Sequence, residues 1–210
     1  MTTARTSKRQ ARERVARIRA EQRRRERRRN ILLGTGIAVA ALAVAGAVSL
    51  SFALRGGAAS IRGVQSLSGL ARTHVSGAVS YPQQPPDGGP HSPVWLNCGI
   101  YTSPVPSTNA VHSLEHGAVW VTYRPDLRTA AVSQLRDLVR GQSPRTRGYL
   151  ILSPYPGLPA PVVASAWGKQ LRLTDGSDPR LPQFITTYAQ GPQTPERGAT
   201  CSGGTGTPMP

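Results

Sequence analysis

The chain has 210 residues, room for one ordinary domain and its extensions. Its formal net charge of +16 is lopsided: residues 1–29 hold thirteen Lys and Arg against three Glu, leaving +10 there and +6 on the rest. The basic excess belongs to a tail with no interleaved aromatics and no recognisable module, so no nucleic-acid partner is expected.

Residues 1–30 mix Arg with Glu, Gln and Ala, as in Arg12-Glu-Arg-Val-Ala-Arg-Ile-Arg19, and have too few apolar residues for a core. The expectation is a cytoplasmic tail against anionic lipid headgroups, where each cation contributes on the order of 1 kcal/mol. Residues 31–54, Ile31 to Leu54, carry no charge and end at Arg55. At about 1.5 Å per residue such a helix exceeds the roughly 30 Å hydrocarbon core of a bilayer. A transmembrane helix is the expectation, and a cleaved signal peptide is the competing reading because small residues flank the run. Basic residues before the run keep the N-terminus inside and put the remainder outside. Cys98 and Cys201, the only cysteines, both fall on that outer side, where a disulfide between them would persist.

Residues 55–73 are rich in Gly, Ala and Ser and read as a linker. An exported domain is expected over 74–201. His74 to Tyr81 alternates weakly, as a short edge strand would. Pro82 to Pro93 holds five prolines and two glycines, a loop that the nearby Trp95 and Cys98 mark as clamped onto the domain. Asn109 is suited to N-cap a short helix that ends at Gly117. Ala118 to Tyr123 reads as a strand, Leu127 to Val139 as an amphipathic helix, and Tyr149 to Leu152 and Val162 to Trp167 as strands. Asp178 and Pro179 open a last helix with Leu181, Phe184, Ile185 and Tyr188 inward. Residues 202–210 read as a disordered tail.

This order predicts a small α+β domain, a mixed sheet with helices packed on one side. A thioredoxin-like arrangement is the rival, without the Cys-x-x-Cys that would give it redox chemistry. Trp95, Trp120 and Trp167 read as core, or as a groove for a cell-envelope protein partner. Asp87, Asp175 and Asp178 sit in turn or cap contexts and read as structural.

Asn109 to Pro125 is the most chemically loaded stretch, with His112, Glu115 and His116 within five residues. His112 and His116, four apart, share a helix face, where their nitrogens can hold one cation. His-x-x-Glu-His is formally the spacing of an inverted zinc hydrolase motif, but the helix is short and no histidine follows His116. A catalytic role is therefore not assigned. His91, on the proline-rich loop, and His74 complete a candidate ligand set of His74, His91, His112, Glu115 and His116, for which zinc or copper is the fitting cofactor. The alternative is a polar packing network in which these side chains bind loop carbonyls.

Pro-Pro-Asp-Gly-Gly-Pro-His at 85–91, Val-His-Ser-Leu-Glu-His-Gly-Ala-Val at 111–119, Tyr-Arg-Pro at 123–125, Leu-Ser-Pro-Tyr-Pro-Gly-Leu-Pro at 152–159 and Ala-Trp-Gly at 166–168 together resemble the bacterial family called domain of unknown function 3105. The resemblance covers about His74 to Cys201. It implies a single-pass protein of the bacterial cell membrane with an extracytoplasmic domain, and it carries no catalytic role across. Asp87-Gly88 departs from the Thr-Ser-Gly more usual there. Protease added to intact spheroplasts is expected to digest residues 56–210 and spare the tail. Digestion of the first 29 residues alone would reverse the orientation, and a mature N-terminus after residue 45 would mean a cleaved signal peptide.

Overall fold

The computed structural model describes residues 60–210. The expected basic tail (1–30), the membrane span (31–54) and the first part of the linker lie outside the described residues. Among the described residues no helix is long and apolar enough to cross a membrane.

The elements in order are β1 (Val64–Ser66), β2 (Gly99–Ile100), α1 (Ser107–Glu115), β3 (Val119–Tyr123), α2 (Thr129–Arg140), α3 (Pro144–Arg147), β4 (Leu150–Pro154), β5 (Val162–Ala166), β6 (Lys169–Leu173) and α4 (Arg180–Tyr188). The strands form one mixed sheet in the order β1-β6-β5-β3-β4-β2. β4 lies parallel to β3 and β2, and the other pairs are antiparallel. The domain is thus α+β with a mixed sheet. Its closing hairpin and helix, β5-β6-α4, are the ending it shares with the thioredoxin-like alternative.

β3, β4 and β5 are buried at every residue, so both faces of the sheet are covered. On one face Val119, Val121, Leu150, Leu152 and Leu171 pack against Leu135 and Val139 of α2 and Leu181, Phe184 and Ile185 of α4. Each such side chain, fully buried, contributes about 1.5–3 kcal/mol. On the other face Trp120 and Ile151 meet Ala110, Val111 and Leu114 of α1, together with Leu96, Trp167 and Cys201. That face also carries hydrogen-bonded polar residues: Trp120 Nε1 donates to Ser153 Oγ at 2.9 Å, and Gln170 Nε2 to Ser165 Oγ at 3.2 Å. The expectation of helices on one side only is therefore corrected. Central strands apolar on both faces need cover on both, and α1 supplies it with the proline-rich loop.

Other boundaries shift for local reasons. Part of the supposed linker is β1, which pairs with β6. His74 to Tyr81 is not a strand, because its one partner is an isolated bridge from His74 to His91. Asn109 lies inside α1, whose N-cap is Pro106. Its side-chain amide donates instead to Val94 O at 2.6 Å, holding the loop to the helix. Gly117 does occupy the position after the cap. It takes φ +99°, and a Cβ there would run into the Gln190 side chain. Asp178 serves α4 as expected, accepting from Arg180 N at 2.9 Å.

The C-terminal tail is pinned rather than free. Cys98 and Cys201 form a disulfide across 103 residues with Cα atoms 5.4 Å apart. Beyond it, Asn97 N donates to Thr205 O at 2.8 Å, Thr205 N to Trp95 O at 2.9 Å and Met209 N to Ile100 O at 2.7 Å. Residues 202–210 therefore run beside residues 95–100, through backbone bonds that no side-chain pattern announces. Closing so long a loop is worth about 4–5 kcal/mol on the chain-entropy model. Cys201→Ser is expected to lower the thermal midpoint by about 10 °C, read by calorimetry. An unchanged midpoint would mean that the tail's backbone bonds suffice.

Candidate metal centre

α1 turns two stripes outward from its axis. Ala110, Val111 and Leu114 face the sheet. Asn109, His112 and Ser113, with His116 at the C-cap, recur at helical spacing on the side that meets the loops. Ser113 Oγ donates to Leu96 O at 2.7 Å and receives Leu96 N at 3.0 Å, which clamps the loop to the helix beside Asn109. His91 N donates to Thr73 O at 3.0 Å and Val75 N to His91 O at 2.8 Å, so His74 arrives beside His91.

The four histidines therefore meet. Ring centroids are 5.0 Å apart for His74–His91, 4.9 Å for His74–His112, 4.8 Å for His91–His112 and 4.6 Å for His112–His116. One ligand atom from each of His74, His91, His112 and Glu115 lies within 4.8 Å of the others. His116 belongs instead with His112 and Glu196, a second group within the same limit. His91, His112, Glu115 and His116 are buried, and His74 is exposed.

Each buried imidazole is held through Nδ1. His91 Nδ1 lies 2.8 Å from Gly89 O, His112 Nδ1 2.7 Å from Ser92 O and His116 Nδ1 2.6 Å from Thr200 O. A carbonyl can only accept, so each Nδ1 carries a hydrogen, and Nε2 is the nitrogen left to serve as a ligand. Burial, followed by the neighbouring imidazoles, pulls the His112 pKa down to about 4, against the Ser92 carbonyl, which favours the charged form. The ring is neutral at pH 7, as a metal ligand must be.

His91 Nε2 lies 2.9 Å from Glu115 Oε2, yet it makes no hydrogen bond because the two atoms are not aligned for one. The pair stands at ion-pair distance, and both residues also belong to the group whose four ligand atoms converge within 4.8 Å. The Nδ1-to-carbonyl bonds are also the usual outer support of metal-bound histidine.

Glu196 was not legible as part of the site. It stands in a Pro/Gly/Thr-rich tail, and the one sequence signal for its position was Cys201, whose bridge draws the tail to α1. Trp95, half-buried, lies with its ring centroid 5.1 Å from His116, while Trp120 and Trp167 are core. Asp175 and Asp178 cap turns as expected. Asp87 does not fit that pattern: it is 1% exposed and both carboxylate oxygens are unpartnered.

Desolvation raises the Asp87 pKa above its ordinary 3.8, more than its own backbone amide lowers it. Between 3.8 and that raised value the folded state binds more protons, so stability falls as pH rises and the loss persists above both. Asp87→Asn removes the charge and keeps the shape. The variant is expected to melt a few degrees higher than wild type at pH 7, with the difference vanishing towards pH 3, as read by thermal melts across pH. A lower midpoint at pH 7 would show that the ionised carboxylate has a favourable partner.

No curated protein and no solved structure matches the chain. One family model does, the one described as Protein of unknown function (DUF3105), over residues 74–203, which takes in His74, His91, His112, Glu115, His116, Glu196 and both cysteines. The chain belongs to the DUF3105 family.

Proposed function

We propose that this protein is a metal-binding module of the cell envelope, tethered by its N-terminal apolar segment, with His74, His91, His112 and Glu115 as ligands for one divalent zinc or copper ion. The observation that carries the reading is the pairing at the centre of the site. The buried Nε2 of His91 faces the Glu115 carboxylate at 2.9 Å without a hydrogen bond. Three nitrogens and one carboxylate oxygen make a four-ligand set of the kind that closes around zinc, and imidazole also suits copper. The ion would supply the positive charge that the carboxylate otherwise lacks. The protein's share is to hold His91 and His112 by Nδ1 so that Nε2 is left free to ligate.

The second reading is a structural polar network. In its favour, the same Nδ1 bonds satisfy the carbonyls of Gly89, Ser92 and Thr200, and those from His112 and His116 join the proline-rich loop and the tail to α1. It accounts for the Nδ1 atoms of His91, His112 and His116 and reads His91–Glu115 as an ion pair. It gives no reason, however, for His74 and His112 to bring ligand atoms within 4.8 Å of that pair.

Full-length protein purified without chelator is expected to carry near-stoichiometric zinc or copper by elemental analysis, and His112→Ala to lose it. Added Zn²⁺ at about a hundred times Kd should stabilise the metal-free protein by about 2.7 kcal/mol. A wild type without metal and without thermal response to either ion leaves the structural network as the answer.

A further inference from the structure

The ligand groups overlap rather than form one shell. Exposed His74 and buried His91 and His112 make a triangle with Glu115 beside it, and buried His116 and half-exposed Glu196 lie on the other side of His112. His112 is common to the two groups. Its Nδ1 is committed to Ser92 O, so it has a single lone pair, at Nε2, and can ligate one ion at a time.

His116 and Glu196 are arranged as ligands in their own right. His116 Nδ1 donates to Thr200 O at 2.6 Å, which turns its Nε2 towards Glu196 Oε2 at 3.4 Å. Two ligands with bonds near 2.0–2.1 Å on a tetrahedral ion stand about 3.4 Å apart. The backbone supports the same approach, because Glu196 N donates to Glu115 O at 3.0 Å. The tail that carries Glu196 is tied down five residues later by the Cys98–Cys201 bridge. His116 is thus built like the other buried histidines but stands outside the four-ligand set.

We propose that His112, His116 and Glu196 form a second metal site, open to solvent, that competes with the first for His112. The proposal rests on the metal-binding reading of the first site. With one ion present, His112 completes the set of His74, His91 and Glu115. A second ion draws His112 to His116 and Glu196, and each ion is then left with three protein ligands and an open position for water. Three ligands plus water is the coordination of reactive zinc rather than of structural zinc. Because the two ions share one imidazole, the second binds more weakly and loosens the first.

The test is a Zn²⁺ titration of metal-free, full-length protein by calorimetry, with stoichiometry confirmed by elemental analysis. Wild type should take up two ions in separate steps, the second weaker. Glu196→Gln changes a half-exposed carboxylate to an amide of the same shape, and it should lose the second step and keep the first. Glu115→Gln should weaken the first step and leave one ion at the outer set. A single step in wild type, unchanged by Glu196→Gln, overturns the second site while the first stands. No uptake by wild type overturns both. The wild-type stoichiometry decides the point even if a variant does not fold.

Discussion

Three hydrogen bonds run from buried histidine Nδ1 atoms to backbone carbonyls, from His91 to Gly89, from His112 to Ser92 and from His116 to Thr200. The first braces the proline-rich loop internally, and the other two join irregular backbone to α1 and its cap. Each gives a carbonyl a partner, a net contribution of about 0.5–1.5 kcal/mol. Each also settles which nitrogen of its ring carries the proton. One set of bonds therefore shapes the loops and orients the lone pairs, so the site cannot be separated from the packing of α1. The arrangement explains why α1 is polar on one stripe although it is buried nearly all round.

The sheet makes that position available. One face is an ordinary apolar core against α2 and α4, and the other mixes Trp120 and Ile151 with Ser153, Ser165 and Gln170. A semi-polar face can bind irregular backbone, and Gln170 Nε2 does so by donating to Pro85 O at 2.8 Å. Gly168 N likewise donates to Asp87 O at 2.7 Å. The proline-rich loop is thus fastened on the sheet side by Gln170 and Gly168 and to α1 by Asn109 and His112, which both bond Ser92. Loops held at both ends on a rigid scaffold can present ligands with little ordering left to do when an ion arrives.

Asp87 and the pair His91–Glu115 are the places where local satisfaction fails. Buried carboxylates and imidazole nitrogens without hydrogen bonds reduce stability, and folds keep them where function demands it. At His91 ligand atoms of His74, His112 and Glu115 converge on the same spot. At Asp87 no neighbouring basic group perturbs the carboxyl, and its environment favours the neutral acid.

The amino-acid sequence by itself determined the α+β class, the disulfide pairing and the stretch that carries the site. Those signals are local or nearly so: Val119, Val121 and Tyr123 alternate, Leu135 and Val139 keep helical phase, two cysteines permit one bridge, and His112 and His116 fall on one helix face. Tertiary structure alone decided which side chains meet. β1, β2 and β6 are short or carry charged residues, and β1 exists only because β6 is there to pair with it. The cover of the second sheet face rests on the packing of α1 and on Gln170 holding the proline-rich loop. The course of residues 202–210 beside Trp95 to Ile100 and the arrival of Glu196 near His116 rest instead on backbone hydrogen bonds between segments far apart in sequence. Such bonds use the groups that every residue has in common. They leave no mark in residue type, and for that reason Glu196 looked like part of a tail while His112 already looked like a ligand.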